Sequence, residues 1–283
     1  MKIAYKSFGK LNLLLKVLGF DRIHKLHKLS MVNTEIEIYD EIELELVCPG
    51  NGLIEIDMKP DSCTALKDNL IFKASIAYME MSEFLFDAYF KVKKNIPIKS
   101  GLGGGSSNAS YTLLELNRIF KKLSPKELMN IAFTIGCDLP FFIQGGLCRV
   151  EGFGEIIEPL NLPNFKNYTF VVVIPSFPLS TKEVYEKYDE ISHNIIQTDF
   201  STFIENIPIQ NDLIYAAEQI EPQLKELILD LKKYNPVASS MTGSGSGCFA
   251  IFHEFEKAKA LYEKIKEKYE KTFLTRPKLK ENI

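Results

Sequence analysis

Four glycines fall within five residues at Gly101-Leu102-Gly103-Gly104-Gly105, and Ser106-Ser107-Asn108-Ala109 follow at once. Glycine reaches backbone angles that a side chain forbids, so a run this dense lets successive N–H groups turn toward one point. Downstream, Ala109, Leu113, Leu116 and Phe120 recur at helical spacing. The order is loop, then helix N-terminus, where unpaired N–H donors and the positive end of the helix dipole gather. An anion such as a polyphosphate suits that place, and the two serines add hydroxyl donors. A tight turn alone would need one or two glycines. The stretch is not a Walker A loop, G-x-G-x-x-G fails because position 106 is Ser, and the H-R-D and D-F-G signatures of protein kinases are absent.

Three further segments bear on chemistry. Ser240-Met241-Thr242-Gly243-Ser244-Gly245-Ser246-Gly247 sets three alternating glycines between apolar stretches; it reads either as a hairpin loop or as a second backbone surface meeting a ligand from another domain. Lys10 begins the apolar run Leu11-Asn12-Leu13 and, taken alone, is an ordinary surface lysine. Asp138 stands among apolar neighbours in Gly136-Cys137-Asp138-Leu139-Pro140-Phe141-Phe142. A carboxylate in such a frame is costly unless it caps a helix, pairs or works.

Alternation and apolar runs predict strands over 2–5, 11–17, 32–39, 41–47, 53–57 and 88–92. A helix is expected from Asn69, and another where Ser124, Pro125 and Glu127 supply cap, first-position proline and first-turn acid, ending near Gly136. A Pro/Asn-containing connection near 160–167 separates a second unit: strand 168–174, a helix from Ser180, helices over 212–233, strands at 237–241 and 248–252, a helix from Glu254 and a last strand near Thr272. The expected class is α+β in two domains, 1–162 and 163–283.

The 283 residues suffice for two domains, and 46% hydrophobic with 25% charged residues excludes a disordered or fibrous chain. A net charge of −3 offers no general positive field for gripping a nucleic-acid backbone, so an RNA-binding module is disfavoured. No apolar run approaches the roughly 18 residues of a membrane span. Lys6, Lys10 and Lys16 interrupt any signal-like core, and the N-terminus reads as mature protein. Five cysteines (Cys48, Cys63, Cys137, Cys148, Cys248) with no C-x-x-C pair fit reduced thiols in a cytoplasm rather than disulfides or zinc.

Together, K-L-N-L at 10–13, P-x-x-x-G-L-G-G-G-S-S-N-A at 97–109 and T-G-S-G-S-G at 242–247 resemble the GHMP kinase superfamily, which includes galactokinase, homoserine kinase and mevalonate kinase. With G-C-D-L-P-F-F and Arg149-Val150-Glu151-Gly152-Phe153-Gly154-Glu155, the chain looks most like the branch that phosphorylates the 2-hydroxyl of 4-diphosphocytidyl-2-C-methyl-D-erythritol in the non-mevalonate isoprenoid route. The resemblance implies a two-domain fold with ATP and acceptor in the interdomain cleft. It implies Asp138 as catalytic aspartate and Lys10 as the lysine beside it, Asn12 near the reacting hydroxyl, and Pro97, Gly101, Leu102, Gly103, Gly104, Gly105, Ser106 and Ser107 around the phosphates. Asn69 and Lys94 match positions near adenine, His24 a residue that reads cytosine, Tyr185 a ring that stacks on it, Thr181 a nearby threonine, and Gly243 the second glycine loop at the acceptor. Mg²⁺ is expected with ATP, its ligands unassigned, and the oligomeric state is left open. Two departures stand out: Arg22-Ile23-His24 replaces the usual G-Y-H, removing one aromatic of a base sandwich, and Lys99-Ser100 replaces small residues ahead of the glycines. Alternatives are another small-alcohol kinase of the superfamily, of homoserine or mevalonate type, and a nucleotide-binding protein without catalysis.

Overall fold

Two long strands, β1 (Lys2–Asp21) and β2 (Leu26–Val47), pair antiparallel along most of their length. The sequence reading divides this stretch into four shorter strands, but the computed structural model, which describes residues 1–60, 65–192 and 202–280, carries the chain straight through them. The middle of the ribbon explains the difference: it is buried on both faces, and Ser7, Lys10, Asn12, Asn33, Thr34 and Glu35 stand there, so polar residues interrupt the apolar pattern that marks a strand in the sequence. The pairing also shifts register between Phe8 and Gly9, Asn12 and Leu14, and Val17 and Gly19. Cys63 lies outside the described residues.

Then follow β3 (Ile54–Lys59), α1 (Leu70–Ser82), β4 (Asp87–Lys93), α2 (Gly104–Phe120), α3 (Pro125–Ile135), α4 (Leu139–Gln144), β5 (Leu147–Gly152) and β6 (Ile156–Pro159). The second half adds β7 (Thr169–Ile174), α5 (Thr181–Ile191), β8 (Phe203–Ile204), β9 (Ile207–Pro208), β10 (Gln210–Asn211), α6 (Ile214–Ile220), α7 (Gln223–Lys232), β11 (Ala238–Met241), β12 (Cys248–Phe252), α8 (Phe255–Ile265) and β13 (Lys271–Thr275). α3 carries the capping box that Ser124 and Glu127 announced, with Pro125 in its first turn. α4, β5, β6 and the two-residue strands β8, β9 and β10 were not among the expected elements. α4 has six residues and includes Pro140, too few positions to display a helical period.

The first sheet runs β10–β1–β2–β4–β3, with β5 also paired to β2 and β6 to β5; the second, β11–β12–β7–β13, is antiparallel throughout. One apolar core belongs to the first half: Ile42, Leu44 and Phe90 on the sheet meet Tyr78 of α1, Leu113 of α2 and Ile131 of α3. The other two cross the expected boundary. Leu11 and Leu13 of β1 pack with Phe170 and Val172 of β7, and Leu15 and Met31 join the cluster of Val173 and Leu213. β10 also pairs with β1 in parallel. The halves are therefore joined through shared apolar surface, and the crevice along that joint is held in shape by both cores. Among the described residues no helix is long and apolar enough to cross a membrane.

Candidate active site

Alternation along β1 puts Leu11 and Leu13 on the face turned into the core and Lys10 and Asn12 on the opposite face. The Lys10 N–H donates to the Leu102 carbonyl at 2.9 Å, and its Nζ donates to Asn12 Oδ1 at 2.9 Å. That ammonium is 3.4 Å from Asp138 Oδ1. Asn12 is fixed in turn, its Nδ2 donating to Asn33 Oδ1 at 2.7 Å and its N–H to Thr242 Oγ1 at 3.0 Å. Burying an ammonium is costly without partners; here a carboxylate and an amide oxygen supply them.

Asp138 occupies the N-cap position of α4, yet its carboxyl makes no capping hydrogen bond. The cap reading left open by the sequence therefore does not account for it. Lys10 comes from β1 and Asp138 from the α3–α4 junction, and α2, packed on both β1 and α4, holds the two elements together.

Gly103 caps α2 with φ +70, and Gly101 has φ +78. A Cβ on Gly103 would lie 3.0 Å from the Phe142 ring and 3.2 Å from Lys10 Cε; one on Gly101 would lie 2.5 Å from the Thr242 carbonyl oxygen. The approach is reciprocal, for the Gly247 N–H donates to the Ser100 carbonyl at 3.2 Å. The second glycine stretch is thus a hairpin loop between β11 and β12, closed against the first glycine stretch.

Two cavities flank this junction. The larger, 520 Å³, is lined by Lys10, Asn12, Asp138, Phe153, Thr181 and Tyr185 together with Gly243 and Gly245. The second, 350 Å³, is lined by Asn69, Lys94 and Pro97 with Gly104, Gly105 and Ser106. Lys99, Gly101 and Gly103 line both. Two residues expected at the phosphates turn elsewhere. Leu102 is fully buried in the core, and the buried Ser107 hydroxyl donates to the Phe8 carbonyl at 2.6 Å, tying α2 to β1. Asn69 caps α1 by accepting from the Ile71 N–H at 2.9 Å. Lys94 forms a buried ion pair with Asp40 and donates to Asn108 Oδ1 at 2.9 Å.

In the lining of the larger cavity the Tyr185 ring stacks on His27, centroids 4.8 Å apart. Burial, and secondarily the charge of Asp138, pushes the Tyr185 phenol pKa well up. Thr181 Oγ1 shares a hydrogen bond with Ser244 Oγ at 2.8 Å. His24 is not brought into the lining: it is exposed, with Nδ1 3.1 Å from Asp21 Oδ1. Its ring packs at 4.9 Å on Phe153, which does line the cavity. The sequence reading assigned Phe153 no role. It stands at the β5–β6 tip between Gly152 (φ +74) and Gly154 (φ +115), and a Cβ on Gly154 would lie 2.2 Å from the Cys137 carbonyl oxygen. The tip is pressed against the residue preceding Asp138. Its local sequence signal is an aromatic between two glycines, which marks a turn.

Residues 69–146 match the model of the GHMP kinases N terminal domain, and 191–271 match GHMP kinases C terminal. The 4-diphosphocytidyl-2-C-methyl-D-erythritol kinase of Prochlorococcus marinus (strain MIT 9312) is 35% identical over 91% of this chain and 88% of its own. The enzyme of that name from Clostridium botulinum (strain Alaska E43 / Type E3) is 33% identical over 96% and 98%. A crystal structure of 4-(cytidine 5'-diphospho)-2C-methyl-D-erythritol kinase superposes with a TM-score of 0.81 at 25% identity, covering 97% of this chain and 99% of that one. Homoserine kinase from Cytophaga hutchinsonii, at 15% identity over 98% of this chain and 96% of that one and a TM-score of 0.71, shares the fold.

Proposed function

The chain belongs to the GHMP kinase family, and from its 4-diphosphocytidyl-2-C-methyl-D-erythritol kinase relatives we propose that it transfers the γ-phosphoryl group of ATP to the 2-hydroxyl of that cytidylylated diol. The observation that carries the site assignment is the shared wall: Gly101 and Gly103 line both cavities, with Lys10 and Asp138 on the acceptor side. ATP occupies the smaller cavity, its base near Asn69 and Lys94 and its phosphates on the amides of the 101–106 loop and the N-terminus of α2. The acceptor fills the larger one, its pyrimidine between Tyr185 and Phe153, with Thr181 and Gly243 along its path and His24 at the rim behind Phe153.

An alcohol attacks phosphorus efficiently only if its proton has somewhere to go. Asp138 accepts that proton. Asn12 orients the hydroxyl, and Lys10 offsets the negative charge that gathers on the transferring oxygens. Mg²⁺ would be held mainly by the phosphate oxygens of the nucleotide and by water, as is usual for this ion. Asp138 lines the larger cavity and Ser106 the smaller, and a carboxylate and a hydroxyl are hard oxygen donors that would fit such an ion. When bound, it neutralises phosphate charge.

Incubation with ATP, Mg²⁺ and the cytidylylated diol, followed by phosphorus NMR, tests the reading. The expected result is one new monophosphate ester on the tertiary carbinol with its diphosphate linkage intact. Turnover confined to homoserine or mevalonate would overturn the acceptor.

A further inference from the structure

Lys99 takes no part in the scheme above, yet it lines both cavities at their common wall. Its backbone has φ +55, a left-handed conformation that side-chain-bearing residues avoid and that survives where the surroundings impose it, often at functional sites. The surroundings are firm: Ser100 Oγ donates to the Pro97 carbonyl at 2.6 Å, and the Ser100 carbonyl accepts from the Gly247 N–H at 3.2 Å. The side chain is the opposite, exposed and, among the described residues, without a hydrogen bond or ion pair. The other lysines lining these cavities are committed, Lys10 to Asp138 and Asn12, Lys94 to Asp40 and Asn108. A rigid base thus holds one uncommitted cation beside the passage between donor and acceptor.

We propose that Lys99 binds the terminal phosphates of the nucleotide donor where they leave the glycine loop and reach toward Asp138. Backbone amides supply fixed partial charges, whereas a four-carbon stem lets an ammonium follow phosphate oxygens as they shift during transfer. The donor is favoured over the acceptor's diphosphate because Lys99 lies two residues before the first loop glycine, on the segment with Pro97 and Ser100 that lines the donor cavity. The inference rests on the ATP-dependent kinase reading and is independent of the acceptor's identity.

The test uses Lys99→Gly, since glycine suits the observed φ and the fold is retained, and Lys99→Arg as the conservative partner. Dissociation constants of the full chain for ATP, AMP and CDP are measured by calorimetry in Mg²⁺. Loss of one charge-assisted contact predicts ATP binding weakened about tenfold in Lys99→Gly, with AMP and CDP within about twofold and most of the loss restored in Lys99→Arg. Unchanged ATP binding would overturn the proposal. So would equal losses for ATP and AMP, which would mark a distorted loop, and a loss on CDP alone, which would move the lysine to the acceptor. If the wild-type chain binds ATP but fails to phosphorylate the cytidylylated diol, the acceptor reading falls while these arms keep their meaning.

Discussion

The Lys10 ammonium and the Asp138 carboxylate meet at 3.4 Å with unequal exposure, 5% of the lysine side chain against 41% of the aspartate. A pair exposed at both ends would contribute little to stability, and one closed at both ends could not reach a substrate. Here Asn12 fixes the cation from beneath while the anion keeps an open edge on the larger cavity. That asymmetry suits a carboxylate that must take a proton from outside the protein.

The two rings assigned to the pyrimidine give a first prediction. Tyr185→Ala and Phe153→Ala should each raise the acceptor KM roughly five- to hundredfold, as loss of a stacking partner costs about 1–3 kcal/mol, while the ATP KM stays constant. Steady-state kinetics with each substrate varied checks this. An acceptor KM unmoved in Phe153→Ala would remove that ring from the base site.

Glycines in the loop should differ in sign. At Gly101 a side chain meets both a positive φ and the Thr242 carbonyl, so Gly101→Ala should destabilise by about 1–2 kcal/mol or more and lower the melting temperature. Gly105 lies within α2, where an added Cβ finds only Leu70 Cδ1 at 3.7 Å, so Gly105→Ala should hold or raise it, helix propensity favouring alanine by about 0.5–1 kcal/mol. Calorimetric melting of both variants decides; equal shifts would contradict the closed contact between the two loops.

Glu35 predicts a pH dependence of stability. Buried on β2, its carboxyl accepts from the Tyr111 hydroxyl at 2.7 Å and the Gly146 N–H at 2.8 Å, yet burial outweighs these bonds and the nearby Lys278 and Lys280 charges and raises its pKa. The native state therefore holds this proton more tightly than the unfolded chain. Its contribution is present below the ordinary carboxylate range and is lost as pH rises through the raised native value. Glu35→Gln keeps an acceptor oxygen without the charge, so its melting temperature relative to wild type should climb as pH rises above the ordinary carboxylate range. A difference flat over that rise would contradict the assignment.

Much of this was legible in the sequence, for physical reasons that differ by element. α1 and α2 are long enough to show their periods, and α3 announces itself through Ser124, Pro125 and Glu127. The long ribbon of β1 and β2 was not legible, because buried polar residues at its centre, Lys10 and Asn12 on one strand and Asn33, Thr34 and Glu35 on the other, interrupt the apolar pattern that marks a strand. At the site, the glycine loop is a local signal and could be read locally. That Asp138 sits beside Lys10, or that Asp40 lies beneath Lys94, depends on long-range packing; the resemblance brought Lys10 and Asp138 together, and nothing pointed to Asp40. Phe153 escaped for the same reason, since its two glycines mark a turn without saying what the turn faces.

The most direct test of the account is turnover in Asp138→Asn, which keeps the shape of the side chain and removes its ability to take the proton. With ATP affinity measured alongside, kcat should fall about 10²- to 10⁴-fold while ATP binding stays within a few-fold of wild type. Turnover at the wild-type rate would contradict the account at its centre.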